Sequence, residues 1–572
     1  MRAPLFLPAL LATLLAGAAS AQTEARTMAG LPLDVVGRHG ASAPFAEHEA
    51  ETAFTDGEII GPDRTFGTLA AEASGRRAVR LDAPGESVAF ILDAPADALT
   101  VRYSVPDAAP CRSGDTTLAV LIDGQPAGRL PLTPCYGWFY GDYPFTNDPA
   151  AGGAHHFYDH ARLRLERPAP VGARVELVFE TGPAPWVVID LADFELVPPA
   201  NTPPPGDLSV LDFGADPTGV ASSRVAIQRA LDQGRRSRRP VWLPEGRFRV
   251  EGHLTIDKVT LAGAGPWRSI LFGDGVGLYG RKAAAGGSHD VVLKDLAIVG
   301  EVMDRDDHAQ LNGVGGALNR SRLSNLFIQH TKVGVWLDGP MSDLTVTGLR
   351  ILDQTADGLN LHGGVTNAVV EQSFVRNTGD DGLAAWSHRT PNRNIVYRDN
   401  TIVAPVLANG VAIYGGRDIT VSNTLVADTL TRGGGLHLGA RFDATAFAGN
   451  IFLSDNLVAR AGSIDPVWNH GVGALWLYAL DPPITGARIR IEETTILDST
   501  DAAFMVLGKP IRGLTIDGGQ ITGGASVLQI RAPGEASVSN IAAEEIRSSV
   551  DRHQPAFDLH DGGGNVGWQP EP

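Results

Sequence analysis

The sequence predicts an all-β protein in which an antiparallel, jelly-roll-like β-sandwich precedes a parallel β-helix. Three observations carry this reading. Glycine (67) and proline (38) punctuate a chain of 572 residues that is 43% hydrophobic and only 20% charged, a composition of frequent turns around a large core rather than of disorder. Five prolines within residues 198–206 divide the chain, and such segments form extended, semi-rigid spacers. Beyond them a glycine followed by a short apolar strand recurs at Gly334, Gly358, Gly382, Gly410 and Gly435, at intervals of 24, 24, 28 and 25 residues. One repeat per coil of this length, with several short strands and few helices, is the pattern of a β-helix.

Taken in order, residues 1–21 read as an export leader. Arg2 is followed by an apolar run over 5–15 and by Ala19-Ser20-Ala21 before Gln22, the layout of a cleaved signal peptide. The run is too short to span a membrane comfortably, and no later stretch of 18 apolar residues exists. The protein is therefore expected outside the cytoplasm, extracellular or periplasmic, after cleavage near Ala21. Residues 27–197 contain apolar or alternating segments at 78–81, 87–92, 99–105, 174–179 and 187–197 between Gly, Pro and Asp turns, as in a sandwich. The two cysteines of the chain, Cys111 and Cys135, flank a hairpin of 118–122 and 129–132 around Asp123-Gly124, and in an oxidising compartment they are expected to pair. The 198–206 spacer makes the sandwich an accessory domain expected to share few contacts with the β-helix.

The β-helix is expected over 207–560. Ser223 is placed to cap a short helix that presents Ile227, Ala230 and Leu231 on one face. Asn377, Asn400 and Asn423, spaced 23 and 23, suggest a ladder of stacked amides at a turn. The charge balance, 47 basic against 65 acidic residues for a net −18, argues against nucleic acid or an anionic membrane as partner.

Chemistry concentrates at the aligned glycines. Asp357 and Asp381 each precede one, 24 residues apart, with Asp380 adjoining. Stacked strands lie about 4.8 Å apart, so the three carboxylates should meet. Such a cluster resists full ionisation and destabilises the fold. Strand alternation would turn Asp357 and Asp381 inward beside Leu359 and Leu383, so each Asp-Gly is placed at a corner where glycine permits the bend. Asp-Gly is also ordinary turn chemistry. Two in register beside a third aspartate fit acid–base hydrolysis of a glycosidic bond, which needs one protonated and one ionised carboxyl. Trp336, Trp386, Tyr414, Trp468 and Trp476 offer sugar-sized surfaces, although packing alone would explain each.

The segments 357–367, 376–387 and 407–416, read as DGLNLHGGVTN, RNTGDDGLAAWS and LANGVAIYGG, resemble the core of glycoside hydrolase family 87, the mycodextranase and α-1,3-glucanase family. The 212–219 segment, DFGADPTG, resembles the β-helix entry of pectin-lyase-like enzymes generally. The resemblance runs from about 207 to 545. It implies a right-handed β-helix that cleaves α-1,3-glucan, or the alternating polymer nigeran, by inversion. It further implies Asp380 as general acid, with Asp357 and Asp381 positioning and deprotonating water. Asn360, His362, His437 and Arg441 join Trp336, Trp386, Tyr414 and Trp476 as candidate substrate contacts. No cofactor is required by this reading, a structural Ca²⁺ is compatible with it, and the protein is expected to be monomeric.

Other readings share the fold. Polygalacturonases use a similar aspartate trio, but their Gly-His-Gly and Arg-Ile-Lys elements are missing, and Gly435-Leu436-His437 is a partial echo. A calcium-dependent lyase could use the three aspartates as ligands, with Arg376 or Arg441 as its basic group. A non-catalytic glycan-binding β-helix would need none of this chemistry. The run His155-His156-Phe157-Tyr158-Asp159-His160 matches no strong metal spacing and is expected as a polar surface strand.

Overall fold

A computed structural model describes residues 26–570 except 66, 142–148, 153–154 and 466–469. The expected leader and Trp468 lie outside these residues. The fold class agrees with the sequence reading. An eight-stranded and a five-stranded antiparallel sheet form the N-terminal sandwich, and 31 strands from Leu208–Ser209 to Phe557–Gly563 build the β-helix. Three of the expected sandwich segments appear as Ala78–Leu81, Ser87–Ile91 and Arg174–Phe179. The cysteine hairpin pairs Thr116–Ile122 with Gln125–Leu132, and a Cys111–Cys135 disulfide closes its base.

Each coil contributes three strands, as Val365–Glu371, Phe374–Thr378 and Leu383–Trp386 illustrate. The glycine repeat is the register itself, since Val335, Leu359, Leu383, Val411, Leu436 and Leu475 pair in succession and all point into the core. The glycines serve close stacking rather than bending. Gly358 and Gly382 are absent from the positive-φ positions, but a Cβ at Gly358 would collide with the carbonyl oxygen of Gly382, and one at Gly382 with Ile402. The helix Arg224–Ser237 closes the N-terminal end with Ile227, Ala230 and Leu231 buried. Ser223 occupies its N-cap but makes no side-chain capping bond; its Oγ instead accepts from the Asp216 amide at 2.8 Å.

Three further expectations are corrected. The asparagines do not form a ladder, because pairing of Phe374 with Thr401 and of Thr401 with Leu425 sets Asn377, Asn400 and Asn423 at three different positions along the coil. Asn400 donates to the Val370 carbonyl at 2.9 Å and accepts from the Ser373 amide at 3.1 Å, so it ties together the backbone of the preceding coil.

The sandwich and β-helix also share a buried interface. Met28, Leu31, Val36 and Phe45 pack on the outward residues Phe327, Leu352, Phe374 and Leu425. Beside them the fully buried Arg376 pairs with Glu47 and, at 3.1 Å, with Asp193; Arg350 pairs with Asp193 at 2.6 Å. Asp159 and His160, expected at the surface, are buried in this interface against His330 and Asp353, each at 2.7 Å. Sequence alternation misses such burial because the cover comes from another part of the chain. A fragment beginning at Gly206 would expose these apolar and charged groups to water. It is expected to aggregate on expression, and a soluble 206–572 fragment with a cooperative melt would contradict the shared interface.

Candidate active site

The corners that precede Leu359–His362 and Leu383–Trp386 bring Asp357, Asp380 and Asp381 together, as their spacing predicted, with one carboxylate oxygen from each within 4.8 Å of the others. Their environments differ. Asp357 and Asp381 are 7% and 3% exposed, whereas the Asp380 side chain retains 25%. Burial, followed by repulsion from Asp380 and Asp381, raises the Asp357 carboxyl well above the usual range. Burial and the Asp380 charge push Asp381 up to about 7, against the opposing effect of bonds from Asn409 and Tyr414.

The hydrogen bonds explain how these groups are held. Asn360 Nδ2 donates to Asp357 Oδ2 at 2.8 Å. Asp381 Oδ1 accepts from the backbone and side-chain amides of Asn409 at 2.9 and 2.8 Å, and its Oδ2 from the Tyr414 hydroxyl at 2.9 Å. Asn409 is oriented in turn by the indole N–H of Trp476, which donates to its Oδ1 at 2.9 Å. Asp380 faces the loop over residues 300–313, where Arg305 Nη2 donates to its Oδ2 at 2.8 Å.

Strand alternation arranges the other candidates in two outward rows. One runs Trp336, Asn360, Ala384, Ala412, His437, Trp476; the other runs Asp338, His362, Trp386, Tyr414, Gly439, Tyr478. Trp336, His362 and Trp386 are half-buried, with His362 5.2 Å from the Trp336 ring and 4.8 Å from that of Trp386. They form an aromatic wall beside the carboxylates, extended by His388, which stacks 4.7 Å from Trp386.

The remaining assignments change. Trp476 is 0% exposed and offers no sugar platform. His437 is buried and stacked 3.9 Å from it, and burial drives its imidazole well below the ordinary histidine value. Asn360 and Tyr414 are buried too, and they serve the carboxyls. Arg441 lies over Phe442, 4.3 Å from the ring centre. Arg376, a candidate basic group for a lyase, is sealed within the sandwich interface. Sequence reasoning missed Arg305, Lys332, whose ammonium donates to the carbonyls of Asp307 and Ala309, and the positioning role of Asn409. Asn409 immediately precedes an aligned glycine, so the register could have pointed to it; Arg305 sits on a loop outside the repeat and carried no such signal.

The three aspartates could present oxygens to a cation. Asp159, His330 and Asp353 form a second such group, but their contacts make a hydrogen-bonded network in which His330 serves Asp159 and His160 serves Asp353.

A β-helix that gathers three carboxyls at adjacent corners, beside an aromatic wall, has the architecture of the β-helical glycoside hydrolases. Residues 42–197 match the α-1,3-glucanase catalytic domain D1 and residues 219–506 the α-1,3-glucanase catalytic domain D2. The catalytic unit of a thermostable GH87 α-1,3-glucanase from Streptomyces thermodiastaticus is 41% identical, with a TM-score of 0.85 over 93% of this chain and 98% of that one. The chain belongs to glycoside hydrolase family 87. The fold is shared with a GH87 α-1,3-glucanase catalytic domain in complex with nigerose, at 24% identity and a TM-score of 0.80, covering 92% of this chain and all of that one. Mannuronan C5-epimerase AlgE6 of Azotobacter vinelandii is 28% identical over 195 residues, 31% of this chain; the match spans 20% of that protein's length.

Proposed function

We propose that this is an exported glycoside hydrolase that cleaves α-1,3-glucosidic bonds of α-1,3-glucan or nigeran through Asp357, Asp380 and Asp381. The observation that carries this reading is the joining of three carboxyls at the corners of adjacent coils, two buried and one accessible, in a chain of this family. The leader at 1–21 supports export, and family membership supports the glucan.

Asp380, the most exposed of the three, is the group a glycosidic oxygen can reach, and it delivers the proton to the leaving sugar. Asp357 and Asp381 hold a water and accept its proton as oxygen attacks the anomeric carbon. Burial strengthens each as a base, because a raised carboxyl binds the proton it receives more tightly. Oxygens within 4.8 Å are closer than the 6.5–9.5 Å carboxyl separation usual for inversion. Inversion is therefore inferred from family resemblance and from two bases facing one acid, not from spacing.

The test is reducing-end release from α-1,3-glucan, nigeran, dextran and polygalacturonate. Release from the first two alone is expected. Cleavage of polygalacturonate, or of no polymer, would reject the reading.

A further inference from the structure

We propose that Arg305 is a positioning residue that decides where the shared proton of the three carboxyls rests, holding Asp380 as the anion and leaving the proton to Asp357 and Asp381 between turnovers. This rests on the hydrolytic reading above and adds to it a state of the resting site.

The geometry is asymmetric. Three carboxyls lie within one small cluster, where like charges cannot all be ionised, yet the Arg305 guanidinium donates to a single member. Arg305 Nη2 donates to Asp380 Oδ2 at 2.8 Å and its Nη1 to the Gly379 carbonyl at 3.4 Å, while Nε donates to Asp307 at 2.7 Å. Asp357 and Asp381 instead receive neutral donors, from Asn360, Asn409 and Tyr414. A cation favours the charged form of the carboxyl it touches more than a neutral donor does. Other charged groups near the cluster are Asp306 and Asp307 on the Arg305 loop, Lys332, whose ammonium is committed to loop carbonyls, and Arg441, whose guanidinium lies 5.8 Å from the ring of Tyr414. The loop is fixed on both sides, by the Val302 amide on the His330 carbonyl at 3.1 Å and by Met303, whose sulfur lies 3.9 Å from Cys111 of the sandwich disulfide.

This distribution closes the reaction cycle. During inverting hydrolysis Asp380 gives its proton to the glycosidic oxygen as the C1–O bond breaks. The water that forms the new C1–O bond gives its proton to Asp357 or Asp381. The enzyme is left with Asp380 anionic and the proton on the buried pair, which is the arrangement Arg305 stabilises. Arg305 thus supports the anion as it forms, and one proton must return to Asp380, against this ion pair, before the next turnover.

Carbon-13 NMR of aspartate side chains in the substrate-free protein tests this, with Asp380 assigned by the loss of its signal in Asp380→Asn. In wild type the Asp380 carboxyl should remain at the carboxylate position while the buried pair takes up the proton. In Arg305→Gln it should itself shift toward the acid position, and Arg305→Lys should restore the wild-type pattern. The alkaline limb of the activity profile in Arg305→Gln should rise by about 1–3 pH units. An Asp380 signal with the same pH course in Arg305→Gln as in wild type would overturn the proposal. Because the NMR arm uses no substrate, that result is distinct from failure of the glucanase reading, which would appear as an inactive wild type.

Discussion

Asp357→Asn, Asp380→Asn and Asp381→Asn are each expected to lower the rate on α-1,3-glucan by about 10²- to 10⁴-fold, the usual loss when acid or base assistance is removed. At neutral pH Asp357→Asn and Asp381→Asn should melt no lower than wild type. The sign follows from Asp381, pushed up to about 7 by burial and Asp380. Between its ordinary value near 4 and about 7, the folded protein holds a proton that the unfolded chain has released. Its contribution to stability therefore falls as pH rises through that window, and a neutral amide at 381 removes this loss. The amide can keep the Asn409 bonds on its oxygen, while the Tyr414 hydroxyl reverses to accept. Thermal melting at pH 8 beside initial rates separates the outcomes. Lost activity with a lowered melting temperature would mean that the cluster is structural.

Arg376→Met is expected to destabilise the protein by about 3–5 kcal/mol, the range for removing one partner of a buried ion pair. The cause is the stranding of Glu47, fully enclosed between sandwich and β-helix, while Asp193 is left with Arg350 alone. Arg376→Met with Glu47→Gln should recover part of the loss, since one uncompensated charge is then gone. Chemical denaturation followed by intrinsic fluorescence gives both values. A change under about 1 kcal/mol for the single variant would show that the interface carries no such network.

The β-helix was legible in the sequence because its register repeats. The Gly-apolar motif placed Asp357 and Asp381 on neighbouring coils, and Asp380 came with its neighbour. The aromatic surfaces of Trp336 and Trp386 were visible as residue types, while their outward direction, shared with His362, comes from the register of the folded strands. What escaped was set by contacts without a period. Arg305 reaches Asp380 from a loop between Val292–Val299 and Val314–Gly316. Trp476 looked like a platform, but its row is covered at that coil and its indole holds Asn409. The proline spacer suggested independence of two domains that are in fact joined by Arg376, Arg350 and His160, because composition reports the flexibility of a link and not the surfaces on either side of it.

Proton NMR of the first products from wild-type digestion of α-1,3-glucan tests the central claim most directly, since it reads bond cleavage, chemistry and stereochemistry together. Hydrolysis by three aspartates with water on the face opposite Asp380 predicts new reducing ends that appear first as the β-anomer and then equilibrate. A first-formed α-anomer would contradict inversion, and an unsaturated sugar would replace hydrolysis with elimination.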